Sequence, residues 1–464
     1  MLYAALRGLS GLALRWFYRD VEVVGADRIP ARGPLLIAAN HPNALIDALL
    51  VGLVVPRRVL LTAKATLFDN PLLAPLLHAV GVVPLRRASD ERAAGAHPDA
   101  PPAPARNEVA FRAVLDALAA GGAVLIFPEG KSHDEPALAP LRTGAARMAL
   151  EARDGRGVRG LAVLPVGLTF EAKERPRSRV AVVVGEPLAL DGWAPGVGEE
   201  PVAALTAELD ARLRGVTLNF PSVDAARRAH TVAGALADVL DEPRRVGEPG
   251  LSWAEEMRLV ARVDAAARRI GEGAAGPEAA ERAAEFERRL DVYCTTLARE
   301  GIALEDVAVD LGVRPAARFV LREGLLAVVA APVSLWGRVN HWLPLRLARA
   351  VAQRMSRSRE DPAMVTVVAG VALVLAFYAA QAALVWALAG WPWALAYVVT
   401  LPPSATWDFR YGERARRARE RARTYLRLRR EPTLRGRLMG EVEWLRRETA
   451  ELAGVVEGVP TADV

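Results

Sequence analysis

The longest uncharged segment of this chain runs from Pro362 to Trp407, 46 residues without an acidic or basic side chain. One helix needs about 20 apolar residues to cross a bilayer, so the segment is long enough for two helices. The "GWPW" at 390–393 divides it, because proline is poorly tolerated inside a helix. We therefore expect a membrane hairpin over residues 363–406, with a re-entrant hairpin or one long span as the alternatives.

The sequence that follows this segment is strongly basic. Residues 408–430 hold ten arginines and three acidic residues, whereas the whole chain carries a net charge of only +6. Arginine-rich flanks stay in the cytoplasm, and a hairpin keeps the first 360 residues on that side too. We expect residues 407–464 to form a cytoplasmic helical tail that contacts anionic membrane lipid, with a solvated helix as the alternative. A basic helix also suits nucleic acid, but its place directly after an apolar hairpin argues against a nucleic-acid partner.

Two other apolar segments are predicted to lie at the membrane interface. Residues 1–20 place arginines among apolar side chains, which is typical of an amphipathic interfacial helix. A helix packed on its own domain is the alternative. Residues 321–352 contain "GLLAVVAAPVSLWG", an apolar stretch too short to span, so we expect an interfacial or re-entrant segment there. A buried core helix is the alternative.

Between residues 21 and 220, short runs of Val, Ile and Leu alternate with helical patterns. Continuous apolar runs are typical of strands buried on both faces. The alternation predicts an α/β domain with a mostly parallel central sheet and helices on both faces. The predicted strands cover 21–24, 34–39, 58–63, 81–85, 123–127, 161–168 and 179–185. Residues 221–320 are predicted to be a charged helical region without evident chemistry. The single cysteine, Cys294, excludes an internal disulfide.

The segment "NHPNALIDALL" follows the predicted strand at 34–39 and places His41 six positions before Asp47. In one continuous helix such residues lie about 240° apart around the axis. They meet only if His41 stands on the turn before the helix, which Pro42 favours. Asp47 would then orient the imidazole and leave its second nitrogen as a general base for a hydroxyl. The alternative is a histidine at a helix start with an unrelated aspartate.

Cationic side chains follow other predicted strands, where ligands bind in α/β folds. Arg86 and Arg87 end "GVVPLRR" and are suited to hold a phosphate through forked hydrogen bonds. Lys64 ends another strand, and Lys131 follows "FPEG". Lys64, Lys131 and Lys173 are the only lysines, against 57 arginines. Two of them, Lys64 and Lys131, lie at these strand ends, which suggests a specific need for an ammonium group there. Taken singly, each cation is equally compatible with a plain surface charge.

The ordered set "NHPNALID", "GVVPLRR", "FPEG" and "VLPVGL" resembles the four motif blocks of the glycerolipid acyltransferase family. The resemblance covers about residues 20–220. Five residues separate His41 from Asp47 where the family has four. That spacing and "FPEGKSHDEP" resemble the branch of fungal-type glycerol-3-phosphate/dihydroxyacetone-phosphate acyltransferases and their bacterial relatives. The usual "FPEG" block continues with Thr, Arg and Ser, and this chain lacks that arginine.

The resemblance implies roles for individual residues. His41 is the general base and Asp47 orients it. The residues implied to bind the acceptor are Arg86, Arg87, Glu129, Gly130, Lys131, Lys64 and Arg142. The family is expected to need no metal and no cofactor, so His133, Asp134 and Glu135 are not interpreted as a metal site.

The resemblance also implies an activity, and the arginine-rich flank of the predicted hairpin indicates a location. It implies a membrane-bound O-acyltransferase that moves a fatty acyl group from acyl-CoA or acyl carrier protein to glycerol 3-phosphate or dihydroxyacetone phosphate. Lysophosphatidate is the alternative acceptor.

The catalytic domain is expected to face the cytoplasm at the cytoplasmic membrane. A non-catalytic membrane scaffold that binds lipid or acyl-CoA is the alternative of another class, motivated by the extra residue before Asp47. The sequence leaves the oligomeric state open.

Overall fold

The computed structural model describes most of the chain as two compact units. The described residues are 2–64, 68, 81–85, 103–240, 251–273, 275–303, 306–307, 310–355 and 361–456. The first unit is formed by residues 1–219 with 352–367, and the second by residues 220–351 with 368–461. The first unit holds the predicted α/β domain.

A seven-stranded sheet is the centre of the first unit. Its strand order is β1-β8-β7-β2-β6-β3, with β9 against β7, and β4 and β5 form a separate parallel pair. The strands are β1 (Asp20–Val24), β2 (Leu35–Ala39), β3 (Val59–Leu60), β4 (Thr62–Lys64), β5 (Val83–Leu85), β6 (Ala123–Ile126), β7 (Ala162–Phe170), β8 (Arg179–Val184) and β9 (Leu188–Ala189). Among the described strands, only the β7–β8 and β7–β9 pairs are antiparallel. The predicted mostly parallel sheet is confirmed.

Helices cover both faces of this sheet. Successive residues of a strand point to opposite faces, and both Leu36 and Ile37 of β2 are fully buried. The helices of this unit are α1 (Leu2–Phe17), α2 (Ala44–Val54), α3 (Ala103–Ala119), α4 (Gly144–Leu150) and α5 (Pro201–Gly215). Leu14 and Phe17 of α1 lie in the hydrophobic core, so α1 packs on its own domain. Its contact with a membrane surface stays a prediction.

The described part of the second unit is helical. Its helices are α6 (Val223–Leu240), α7 (Trp253–Gly271), α8 (Pro277–Glu300), α9 (Val313–Met355), α10 (Asp361–Ala389), α11 (Trp391–Arg430) and α12 (Pro432–Val456). One hydrophobic cluster joins Leu236 of α6, Leu290 of α8, Leu428 of α11 and Leu438 of α12. The segments before and after the apolar helices therefore share one core.

The arginine-rich run is partly paired with acidic side chains inside this unit. Among its bridges, Arg414 lies 2.7 Å from Glu323, and Arg427 lies 2.7 Å from Glu300. Arg421 pairs with the buried Asp306. These arginines stabilise the helical unit itself, so the run is neither a purely solvated helix nor a purely lipid-facing one.

The apolar helices differ in two respects from the sequence prediction. The second arm of the predicted hairpin is only the first part of α11, and α11 is not among the described helices that are long and apolar enough to cross a bilayer. The expected break at 390–393 is present, because Gly390 adopts φ 90° between α10 and α11. By contrast, residues 321–352 are not a separate segment but lie inside α9, which continues through Pro332. Among the described residues, the helices long and apolar enough to cross a bilayer are Val313–Arg354 and Val365–Ala389. Proline lowers the number of backbone hydrogen bonds, but helices in an apolar setting tolerate that loss.

Candidate active site

His41 and Asp47 meet at the carboxyl end of β2. The turn after this strand carries His41, and α2 begins only at Ala44. The imidazole Nδ1–H donates to Asp47 Oδ2 at 2.9 Å. His41 is 7% exposed and Asp47 is fully buried. The condition set by the spacing is met, because His41 stands outside the helix that carries Asp47.

The extra residue of the motif is accommodated by an unusual turn. Ala44 has a φ of 45°, a left-handed conformation that costs an alanine roughly 1–2 kcal/mol. The backbone N–H of Asn43 donates to Asp47 Oδ2 at 2.7 Å, so the turn folds back on the same carboxylate. The N–H of Ala44 donates to Ser132 Oγ at 3.2 Å. These bonds hold the strained backbone in place.

Glu129 anchors the backbone of the histidine. Its Oε1 accepts the N–H of His41 at 2.8 Å, and its Oε2 accepts the N–H of Ala139 at 2.8 Å. The ring of His133 accepts the N–H of Glu135 at Nδ1, which leaves Nε2–H to donate to Glu129 Oε2. Both oxygens of this buried carboxylate are therefore bonded within the protein. Its predicted role in shaping the acceptor site stays a prediction.

Gly130 permits the close turn that follows Glu129. Its φ is 73°, and a Cβ there would lie 2.6 Å from the Arg142 side chain. The N–H of Arg142 donates to the carbonyl of Pro128 at 2.8 Å. The structure thus brings Arg142 next to the "FPEG" turn, and any larger residue at position 130 would displace it.

Four further residues surround the pair, and sequence reasoning did not find them as site residues. The ring of Phe127 stacks on His41 with centroids 3.9 Å apart. Asn43 Nδ2 donates to the hydroxyl of Tyr18 at 2.9 Å. Lys173 Nζ donates to the carbonyl of Pro42 at 2.6 Å. The rarity of lysine in this chain also points to Lys173, whereas the sequence prediction names only Lys64 and Lys131 as site residues.

The environment of Asp47 opposes its ionisation. Burial raises the pKa of the Asp47 carboxyl, while its bonds from His41 and Asn43 and the charge of Lys173 act in the other direction. Asp47 Oδ1 is buried and has no hydrogen-bond partner among the described residues. Burial, with the nearby Asp47 charge, also raises the pKa of Tyr18, so its hydroxyl stays neutral. The ionised form of Asp47 therefore depends strongly on the groups that donate hydrogen bonds to it. Of these donors, His41 is the one whose side chain can gain a proton.

The predicted cationic residues are only partly described. Lys64 and Leu85 are register partners at the carboxyl ends of β4 and β5. Arg86 and Arg87 follow in the sequence and lie outside the described residues, as does the side chain of Lys64. Lys131 is exposed on the segment after β6. Binding of an acceptor phosphate by these residues stays a prediction.

The segment after Lys131 uses its polar side chains in protein contacts. His133 bonds to Glu129, and Asp134 forms an ion pair with Lys173. Within the described ranges, no group of three or more His, Cys, Asp or Glu residues is arranged to hold a metal ion.

A buried histidine with one nitrogen fixed by a carboxylate is the arrangement of a general base. Nδ1–H is committed to Asp47, so Nε2 is the nitrogen that can accept a proton. The site stands past the carboxyl end of a central parallel strand, where α/β folds bind substrates. The fold and the site thus define an α/β domain with a histidine placed to accept a proton.

Comparison with known proteins identifies the domain. Residues 20–169 match the Acyltransferase family model, and the chain therefore carries an acyltransferase domain over these residues. This confirms the family resemblance that the four motifs indicated. Over 134 residues the chain is 38% identical to glycerol-3-phosphate O-acyltransferase 2 of Saccharomyces cerevisiae. This aligned stretch covers 27% of this chain and 18% of that protein.

Two other similar proteins belong to the same class. An uncharacterized acyltransferase of Schizosaccharomyces pombe is 25% identical over 264 residues, 41% of this chain and 39% of that protein. The chain thus spans less than half the length of these curated relatives. Among solved structures, the 1-acyl-sn-glycerophosphate acyltransferase PlsC of Thermotoga maritima matches with 21% identity and a TM-score of 0.34. That match covers 46% of this chain and 78% of the other.

Proposed function

We propose that this protein is a membrane-bound O-acyltransferase that acylates the hydroxyl of a glycerol phosphate. The observation that carries the proposal is the 2.9 Å bond between His41 Nδ1 and Asp47 Oδ2, which leaves Nε2 as the base. The acyltransferase domain and its glycerol-3-phosphate O-acyltransferase relatives support the same reaction class. The hypothesis of a non-catalytic scaffold rests on the longer His–Asp spacing. The close contact of the two side chains argues against it.

The reaction needs one base and two substrates. His41 Nε2 takes the hydroxyl proton of the acceptor while the oxygen attacks the thioester carbonyl. The resulting imidazolium is stabilised by the Asp47 carboxylate. The tetrahedral intermediate then collapses, the C–S bond breaks, and the leaving thiolate takes the proton from His41. No covalent acyl-enzyme is required, because the nucleophile belongs to the substrate.

We assign glycerol 3-phosphate or dihydroxyacetone phosphate as the acceptor, with lysophosphatidate as the second candidate. The longer motif spacing and the names of the two yeast relatives favour the first pair. The acyl donor is proposed to be acyl-CoA or acyl carrier protein, without a metal or a further cofactor. The proposed phosphate ligands are Arg86, Arg87, Lys64, Lys131 and Arg142.

The helical unit limits the membrane topology. α6 and α8 precede the apolar helices and α12 follows them, yet all three share one hydrophobic cluster. This shared cluster favours one membrane side for both flanks, and so an even number of complete crossings between them. The arginine-rich tail favours the cytoplasmic side. We propose the cytoplasmic membrane as the location and a cytoplasmic catalytic domain.

An acceptor comparison tests the proposed function. The protein is purified in detergent and supplied with labelled acyl-CoA or acyl carrier protein. Glycerol 3-phosphate, dihydroxyacetone phosphate and 1-acylglycerol 3-phosphate are offered in parallel. We expect the highest kcat/KM with one of the first two acceptors. Transfer to 1-acylglycerol 3-phosphate alone would select the second candidate. Acyl-CoA binding without transfer to any acceptor would contradict the enzymatic function.

A further inference from the structure

Three successive residues that belong to none of the four motif blocks hold the turn at residues 41–44. Ser132 Oγ accepts the N–H of Ala44 at 3.2 Å. The N–H of His133 donates to the carbonyl of His41 at 3.3 Å. Asp134 forms an ion pair with Lys173, whose Nζ donates to the carbonyl of Pro42 at 2.6 Å. Ser132, His133 and Asp134 are thus each committed to this turn.

Lys173 contacts two residues of the turn at once. Its side chain reaches the carbonyl of Pro42, and its backbone carbonyl accepts from Asn43 Nδ2 at 3.5 Å and from the Tyr18 hydroxyl at 3.3 Å. The Lys173 side chain is 17% exposed, so the ammonium is mostly shielded and Asp134 neutralises it. A hydrogen bond from an ionised donor is roughly twice as strong as one between neutral groups, so the ammonium holds the Pro42 carbonyl firmly.

We infer that Lys173, held by Asp134, is a positioning residue for the His41 base. It fixes the Pro42 carbonyl and with it the turn that places His41 against Asp47. The inference rests on the proposed function, because it assigns a role within that reaction. It also explains how a motif with one extra residue keeps its base in place.

The charge of Lys173 has a second effect on the pair. It acts on the pKa of Asp47 against the effect of burial, and so favours the ionised carboxylate. A nearby cation disfavours protonation of the His41–Asp47 pair, whichever member takes the proton. Among the described residues, the titratable groups that contact the pair or its turn include Tyr18 at the end of α1, Glu129, His133 and Asp134 after β6, and Lys173 after β7. Loss of the ammonium should therefore raise the apparent pKa of the pair.

The test measures kcat against pH for wild type, Lys173→Met, Lys173→Arg and Asp134→Asn. We expect Lys173→Met to lower kcat about 10- to 100-fold, the effect of misplacing a catalytic group. The acid limb of its kcat–pH profile should move to higher pH. Lys173→Arg keeps the cation, so its acid limb should stay with the wild type. Asp134→Asn should lower kcat without moving the limb to higher pH, because the ammonium is still present.

The control is Arg175→Met, which removes an exposed cation from the same loop. It should leave both kcat and the acid limb unchanged. Lys173→Met with wild-type kcat and limb would overturn the inference. A second outcome would also overturn it. If Lys173→Met and Asp134→Asn lose thermal stability and kcat in parallel, and the acid limb of the kcat–pH profile moves in neither variant, the role of Lys173 is purely structural. A wild-type protein without transfer to any acceptor would instead overturn the proposed function.

Discussion

Asp47 combines a fully buried carboxylate with an unbonded oxygen, Oδ1, in the part of the chain that the structure describes. Its folded-state pKa is raised, so the ionised form is disfavoured in the fold, and the stability cost grows as pH rises through that pKa. We expect Asp47→Asn to lower kcat by about 10³–10⁴, because the wrong imidazole tautomer is favoured. An active Asp47→Asn protein would contradict the role of Asp47.

Glu129 is expected to act through the backbone. In Glu129→Gln, one oxygen can still accept the N–H of His41, but the amide NH₂ then faces the donors of Ala139 and His133. Buried donors without acceptors cost about 1–3 kcal/mol each. We expect a lower melting temperature together with lower kcat. The matched control is Glu135→Gln, whose side chain is exposed. Equal stability of the two variants would contradict this account.

The residues of the site differ in how far the sequence predicts them. His41 and Asp47 are close in sequence, so their spacing sets a geometric condition that can be stated in advance. Phe127, Tyr18 and Lys173 reach the same site from distant parts of the chain. Their contacts depend on which strands and helices become neighbours, and the local pattern of residues does not contain that information.

At the scale of elements, the start of α2 stores strain at Ala44. Glycine adopts a positive φ without a Cβ penalty, so Ala44→Gly should stabilise the protein by about 1 kcal/mol. The control is Ala48→Gly in the interior of the same helix, which should destabilise it by about 1 kcal/mol or more. Thermal unfolding in detergent compares the two. A destabilised Ala44→Gly protein would show that Ala44 carries no strain.

The strands were predicted well wherever an apolar run fills one strand of the central sheet, as in β2 and β6. The predicted strand at 58–63 is instead divided at Leu61 into β3 and β4, which belong to different sheets. An apolar run shows that a strand is buried but not which sheet contains it. β9 has two residues, too few for a periodic pattern.

At the scale of the whole molecule, the shared core of α6, α8 and α12 predicts one membrane side for both flanks. In a Cys294→Ser background, single cysteines at the exposed positions Glu287 and Glu443 report on the two flanks. A membrane-impermeant maleimide should label both in inverted vesicles and neither in right-side-out vesicles. Labelling from opposite sides would contradict the even number of crossings.

The helical region was the hardest part to predict. The uncharged run correctly indicated a break at Gly390, because glycine and proline act locally on the backbone. The sequence did not indicate that α9 continues through Pro332, since its continuity depends on the surrounding helices. Nor did it show that Arg414, Arg421 and Arg427 bind acids of the same unit, because those partners lie about 90 to 130 residues away.

The central claim is that His41 is the base for acyl transfer. The most direct test compares wild type with His41→Ala, both purified in detergent, using labelled acyl-CoA and glycerol 3-phosphate. The wild type should form labelled lysophosphatidate. In His41→Ala, kcat should fall by about 10²–10⁴, the contribution of general-base catalysis, while the melting temperature shows that the protein is folded. Unchanged acyl transfer by a folded His41→Ala protein would contradict the account.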